Sequence, residues 1–405
     1  VINGRQNRSI QDGSTVSDLK DKIILSVDRL AGEMGKLAKE IHANPELSFQ
    51  EHQSAARLIA PLQAAGFSVQ QSVAGLETAF RATLNSGKPG PHIAFLAEYD
   101  ALQGLGHACG HNLIGTASVT AALAFVQACP QFNGTVEVIG TPAEEEGGGK
   151  IIMANAGVFD GVDAVMMFHP REKNMAVRGA LACVDTCFKF YGKAAHAASA
   201  PHLGISALDA VIHTFNGINA MRQLFTDDVR VHGIITHGGS ATNIVPEYAE
   251  TCFLLRAATR AGLEQVKQKV FAVANGAAMM TGARLEIEEG LTYAERNNNQ
   301  ALAGLFADNL ALLGLTVENP PEQGGVGSSD IGNVSQLTAA IHPYLRIGDV
   351  RPHTPEFALA AGSEQGITAM LDAAKALAMT ASDLQQSHHL QSVRDEFSHW
   401  QKNNV

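Results

Sequence analysis

A chain of 405 residues, 45% apolar and 17% charged, is long enough for one large domain or two ordinary ones and apolar enough to bury a core. Its formal charge of −11, without basic clusters, excludes nucleic acid as a partner class, because phosphates need Lys or Arg. Five cysteines, an odd number in a long chain, argue against a disulfide framework.

The opening stretch, residues 1–14, reads as a polar, loosely held tail. It lacks a basic start followed by an apolar run, so no signal peptide is expected. Leu19, Ile23, Val27, Leu30, Leu37 and Ile41 then recur at helical spacing over 18–43. Pro45 ends that pattern, and a second helix is predicted over Gln50–Ala65, stopped by Gly66. Short apolar runs at 92–97, 135–140 and 163–168 predict buried strands, with helices at 112–128 and 149–157 between them. The run Leu113–Cys129 is the most apolar in the chain, yet its Ser and Thr residues favour a buried helix over a membrane span. This alternation predicts an α/β layer protein, soluble and cytoplasmic, with no membrane partner.

Residues 184–293 follow another order. A strand (Asp185–Tyr191), a helix (Ile205–Leu224), strands at Val231–Thr236 and Ala249–Arg256, a helix (Leu263–Met280) and a strand (Leu285–Glu289) make β-α-β-β-α-β. That is a ferredoxin-like domain inserted into the larger one, leaving 1–183 and 294–405 as its two flanking parts. The segment between Cys183 and Cys187 reads as a strand, and both are read as buried small apolar residues. The main domain resumes with helices near 300–314 and 363–382.

Candidate chemistry sits after the predicted strands, where open α/β sheets place their ligands. Strand 92–97 leads to Glu98, Asp100 and the loop GHACGHN (106–112), with His107, Cys109 and His111. Strand 135–140 leads to TPAEEEGGGK, with Glu144, Glu145 and Glu146, and strand 163–168 to His169. His353 lies in VRPHTPEF. Each alone has a bland reading: a core histidine, a solvated glutamate turn, a small buried cysteine. Together they admit a site for zinc or another borderline divalent metal, in which one glutamate binds and its neighbour moves protons. A nucleophilic Cys109 with His107 or His111 as base is the competing reading, but it leaves the glutamate loop idle. The segment GGVGSSD (324–330) lacks a P-loop lysine and reads as backbone lining the pocket, around Gly327.

The segments IHANPELSFQEHQSA (41–55), AEYDALQGLGHACGHN (97–112), GTPAEEEGGGK (140–150), FHP (168–170), GKAAHAASAPHLGISALDA (192–210), GGSATNIVPEYAE (238–250) and RPHTPEF (351–357) carry a family resemblance. The chain resembles the metal-dependent aminoacylase and glutamate-carboxypeptidase metallopeptidases, in the branch of aminobenzoyl-glutamate hydrolase, hippurate hydrolase and the auxin-conjugate amidohydrolases. The likeness spans nearly everything after about residue 20 and implies a zinc-peptidase-like catalytic domain, its mixed central sheet flanked by helices, with the insert as lid and dimerisation domain. By motif it implies Cys109, His111, Glu145, His169 and His353 as ligands of one or two divalent metals: zinc or manganese, with cobalt or nickel as further options. It implies Glu144 as the catalytic carboxylate and Asp100 as the residue orienting a ligand histidine. Cys109 stands where many relatives have a bridging aspartate. Other branches have His-x-Asp where this chain has Glu98-Tyr99-Asp100, and His111 is the usual replacement. His107 reads as structural. His196 matches a histidine that reaches the partner's active site in homodimers, and Asn243 and Arg256 resemble contacts to a substrate carboxylate or oxyanion.

The implied reaction is hydrolysis of a small N-acyl or aroyl amino acid, or of a dipeptide-like amide. Release of ammonia from a small amine is the nearest alternative. A silent metal-binding scaffold is another, disfavoured by the Glu144–Glu145 pair.

Overall fold

The computed structural model describes residues 9–320 and 327–404, with side chains from 18 onward. The chain divides into two compact units. One comprises Val1–Gly179, Asn297–Gly325 and Asn333–Val405; the other comprises Ala180–Arg296 and Val326–Gly332.

The first unit starts with α1 (Ser9–Ala43), α2 (His52–Ala64) and the hairpin strands β1 (Ser68–Gln71) and β2 (Phe80–Asn85). Next come β3 (His92–Ala97), α3 (His111–Ala128), β4 (Thr135–Gly140), α4 (Gly149–Asn155), β5 (Ala164–Met166) and β6 (His169–Arg171). The predicted stripe of α1 does what its spacing demands: Ile23, Val27, Leu37 and Ile41 are buried. The expected polar tail differs. Residues 1–8 lie outside the described part, but α1 already runs from Ser9, since a polar composition does not prevent extension of a strong helix.

The second unit holds β7 (Ala182–Tyr191), α5 (Ala207–Met221), β8 (Arg230–His237), β9 (Tyr248–Ala257), α6 (Arg260–Thr281) and β10 (Arg284–Glu289). Its four strands form an antiparallel sheet in the order β10-β7-β9-β8. That order and the β-α-β-β-α-β sequence are ferredoxin-like. Val184, Phe188, Phe190, Phe253 and Leu255 from the sheet pack with Val211, Ile218, Val266 and Val270 from the helices. Cys187 corrects the sequence reading: it is half-buried on the other face and disulfide-bonded to Cys252. The β7–β9 register puts the two residues directly opposite each other. Their separation of 65 residues hid the pairing from any local spacing. Cys183 is buried and free, as expected.

The chain returns to the first unit with α7 (Gln300–Leu312); α8 (Ile331–Ser335) begins at the end of the second unit's segment Val326–Gly332, and β11 (Ala339–Ile341), β12 (Tyr344–Arg346), α9 (Pro355–Ala361), α10 (Glu364–Asp383) and α11 (Ser387–Asn404) complete the first unit. The main sheet is mixed, β1-β2-β4-β3-β5-β11, with β4, β3, β5 and β11 parallel and β1 and β2 antiparallel. The apolar run of α3 is a core helix, buried throughout residues 111–125, and packs on β3, α1 and α10. The predicted strand 163–168 is shorter: β5 ends at Met166, and His169 opens β6, paired in parallel with β12. Among the described residues, no helix is long and apolar enough to cross a membrane.

Candidate metal centre

Because β3, β4 and β5 are parallel, their C-terminal ends share one edge of the sheet, and the loops leaving that edge carry the candidate donors. Gly110 separates Cys109 from His111 in a left-handed conformation (φ 80°), and a Cβ there would lie 2.4 Å from Pro170 Cγ. Only glycine satisfies both demands. Two donor loops also hold non-glycine residues at positive φ: Ala143 (61°), just before Glu144, and His353 itself (62°). Such conformations cost free energy and persist only where the surroundings enforce them.

The enforcing contacts are visible. Glu51 Oε1 accepts the Ala143 N–H at 2.9 Å, and Glu51 Oε2 accepts the Thr78 hydroxyl at 2.8 Å. Asp100 Oδ2 accepts the Ser48 hydroxyl and the Glu145 N–H, each at 3.0 Å. The His353 N–H donates to Ala108 O at 2.9 Å, tying the last loop to the first. The segment 46–51 therefore braces both the Asp100 and the glutamate loops.

Histidine orientation follows from the acceptors. His111 Nδ1 faces Asp100 Oδ1 at 2.9 Å and Asp100 O at 3.0 Å. Both are acceptors, so Nδ1 carries the hydrogen and Nε2 offers a lone pair. His169 Nδ1 is 2.7 Å from Pro170 O, which leaves Nε2 to face Cys109 Sγ at 3.3 Å. His353 Nε2 is 3.6 Å from Glu145 Oε2, and His111 Nε2 is 3.8 Å from Glu145 Oε1 and 3.9 Å from Glu144 Oε2.

The ligand-type atoms form overlapping triads within 4.8 Å: Cys109 with His111 and His169, Cys109 with Glu145 and His353, and His111 with Glu144 and Glu145. Cys109 is common to the first two. His111 Nε2 and Glu145 Oε1 are buried without a hydrogen-bond partner. Buried polar atoms facing one another without a partner are costly unless a proton or a cation joins them. Thiolate, imidazole and carboxylate suit a borderline divalent metal, so the residues present fit one.

The electrostatics of these side chains point the same way. Burial opposes charge on His111, but Asp100 and Cys109 outweigh it and hold its pKa well above the usual value. Burial likewise opposes ionisation of Asp100, and His111 and the Glu145 N–H bring it down to about 2. Burial, then Glu145, pushes the Cys109 thiol up. The cluster draws positive charge to itself. Burial beside Asp100 raises Glu51 to about 7. His107 is buried, its ring 6.1 Å from that of His42, and burial then His111 depress it to about 3.

The structure thus brings Asp100, Cys109, His111, Glu144, Glu145, His169 and His353 together. The remaining candidates belong to the second unit. His196 is exposed, and its Nδ1 accepts the Ala198 and Ser199 N–H groups at 3.2 Å, so Nε2 carries the hydrogen. Asn243 is exposed beside it, its carbonyl accepting the Ala197 N–H at 2.9 Å. Arg256 Nη1 donates to Ser328 Oγ at 3.0 Å, and Gly327 O accepts the Leu181 N–H at 3.0 Å. Of the segment expected to line the pocket, 324–330, residues 324–326 lie outside the described residues.

Two contributors had no role assigned from sequence. Glu51 anchors Ala143, and Glu98 forms an ion pair with Lys150 at 2.6 Å, both side chains essentially inaccessible. Each lies in a segment that carried the resemblance. The available signal was a charged residue next to an apolar run, which alone does not separate a buried role from a solvated one.

A mixed sheet whose edge gathers thiol, imidazole and carboxylate defines a metallohydrolase-type α/β domain. Residues 94–382 match the model of peptidase family M20/M25/M40, and the chain belongs to that family of hydrolases acting on C–N bonds. It is 39% identical over 397 residues to Xaa-Arg dipeptidase of Mus musculus, covering 94% of this chain and 92% of that protein. It is 40% identical over 307 residues to one of the polypeptides of the p-aminobenzoyl-glutamate hydrolase of Escherichia coli, covering 71% of this chain and 63% of that one. The fold is that of a dinuclear metal binding peptidase of the M20 family from Bacillus subtilis, with a TM-score of 0.67, 20% identity, and coverage of 88% and 99%.

Proposed function

We propose that the cluster holds two divalent cations, with Cys109 shared between them. Cys109, His111, Glu145, His169 and His353 are then the ligands, Glu144 the general base, and Asp100 the residue that orients His111. The substrates are small N-acyl or aroyl amino acids and dipeptide-like amides. The names of the relatives support that class: one acts on Xaa-Arg dipeptides, another on an aroyl-glutamate. The observation that carries the reading is the pair of triads sharing Cys109, with two orphaned buried lone pairs. Zinc is the metal the thiolate and imidazole donors favour, with manganese as the alternative.

A bound cation supplies Lewis acidity and lowers the pKa of water from about 16 toward about 7. Glu144, at the rim of the cluster, accepts a proton from the attacking water on a carboxylate oxygen and hands it to the leaving amine. Asp100 keeps His111 in one tautomer and, through the Glu145 N–H, fixes the loop carrying both glutamates. His196, with its hydrogen on Nε2, is the donor for the developing oxyanion. Arg256 and Asn243 receive the substrate carboxylate. The second unit acts as lid and dimer surface. Its edge strand β8 exposes Ile234 and Ile235, apolar surface on which a second copy would pair.

The test is metal content per chain for the wild type and Glu144→Ala, with both assayed against Xaa-Arg dipeptides, p-aminobenzoyl-glutamate and other acyl amino acids. Metal in both samples and amide hydrolysis only in the wild type is the expected result. A folded wild type that takes up no divalent metal overturns the reading and returns Cys109 to the role of nucleophile.

A further inference from the structure

Glu98 leaves the end of β3 and points into the cluster. Its side chain is 1% exposed, and that of Lys150 is fully buried. Glu98 Oε1 lies 2.6 Å from Lys150 Nζ. The other oxygen, Oε2, lies 3.5 Å from His111 Nε2. That is closer than Glu145 (3.8 Å) or Glu144 (3.9 Å) comes to the same nitrogen. Glu98 Oε2 and His111 Nε2 are both buried, and neither has a hydrogen-bond partner. A Glu98 carboxylate oxygen also lies within 4.8 Å of one on Glu144.

These two atoms need positive charge between them: in the metal-free chain a proton on His111 Nε2 supplies it, and a bound cation would displace that proton and take its place. A cation held about 2.1 Å from an imidazole nitrogen and from a carboxylate oxygen sets the two about 3.4 Å apart at the tetrahedral angle. The observed 3.5 Å meets that geometry. Stability is a poor reason for the Glu98–Lys150 pair, because desolvating two charges offsets most of their attraction. Its use is better sought in what Glu98 faces.

We propose that Glu98 is a further carboxylate ligand of the cation on the His111 side, and that Lys150 holds its second oxygen so that it binds through Oε2 alone. The proposal rests on the two-metal reading above. It places a carboxylate at the position where other branches of the family have histidine. Lys150 lets this carboxylate join a donor set already rich in anions without adding net charge.

The experiment measures zinc and manganese binding to metal-free protein by competition with a chromophoric chelator. Elemental analysis gives the stoichiometry, and the visible spectrum of the cobalt-loaded protein reports the ligand field. The variants are Glu98→Gln, Lys150→Met and the double variant Glu98→Gln/Lys150→Met, a neutral pair of similar volume that removes the risk of a lone buried charge. Glu98→Gln and the double variant should lose about 10–100-fold in affinity for one metal equivalent, the range typical of a perturbed metal site. Their cobalt d–d bands should shift, while the thiolate charge-transfer band from Cys109 stays. Lys150→Met should keep both equivalents and gain more thermal stability from metal than the wild type does. Wild-type affinity and an unchanged cobalt spectrum in any folded variant lacking Glu98 overturn the proposal and leave the two-metal reading standing. A wild type that binds no metal overturns both.

Discussion

Cys109 in the first unit and Cys187 with Cys252 in the second each lie within 4.8 Å of other ligand-type atoms, glutamate included. The two settings share donor chemistry and differ in everything else. Around Cys109, His111 is buried, Glu145 and His169 are half-buried and His353 is exposed; Asp100, Pro170 O and Ala108 O orient the three histidines, and the buried atoms His111 Nε2 and Glu145 Oε1 have no hydrogen-bond partner. Around Cys187 and Cys252 the sulfurs satisfy each other in a covalent bond, and Glu250 is occupied by Thr236 and Tyr248. Proximity of donor types is therefore a weak criterion for a metal site. Burial together with an unmet valence is a strong one.

That contrast can be broken or sharpened by experiment. The largest effect is expected at Glu144: Glu144→Gln should lower kcat by about 10²–10⁴-fold, the usual weight of a general base, with metal content unchanged. Loss of metal in that variant would move Glu144 into the ligand set. Next comes the second unit. Cys187→Ser/Cys252→Ser should cost that unit about 2–4 kcal/mol in urea unfolding, as removal of a long-range crosslink does, and leave metals per chain as they were. A fall in bound metal would mean that the two cysteine settings are alike after all. Asp100→Asn keeps the volume but turns an anion into a neutral amide beside His111. Metal affinity should fall about 10–100-fold, read by chelator competition.

The smallest effect concerns acid stability. His107 has a folded pKa of about 3 against an ordinary value of 6.5, so the unfolded chain takes up a proton there first. Its stabilising contribution is complete above about 6.5 and is lost as pH falls toward 3, by at most about 1.4 kcal/mol per pH unit. In metal-free protein, urea unfolding at pH 7 and pH 4.5 should show a smaller pH difference for His107→Leu than for the wild type. Equal differences would mean that His107 is not the group that titrates.

The legible part of the fold was the part with strong apolar periodicity or length. The stripe of α1, the buried strand β3 and the core helix α3 could each be read from composition alone. What escaped was structure defined by partners. β1 is the polar stretch SVQQ and is a strand only because it pairs with β2. α11 buries little beyond Leu390 and Val393. α9 was missed although its signals were present: Pro355 at the first position, and Thr354 capping through the Phe357 N–H. The site shows the same division. Motif residues announced themselves through their types and loops. Glu98 with Lys150 and Cys187 with Cys252 depended on contacts 52 and 65 residues apart, which no local pattern encodes.

Gly110 limits how the cluster can be altered by mutation. Gly110 lies between two of the proposed donors, Cys109 and His111, and packs on Pro170, the residue next to a third, His169, with no room for a Cβ. Any side chain at 110 would press on Pro170 and displace three donors together, although it touches none of their ligand atoms. The cluster can therefore be retuned donor by donor, but not spread apart at this point. A library aimed at new metals or substrates should vary the exposed His353 loop and keep Gly110 fixed.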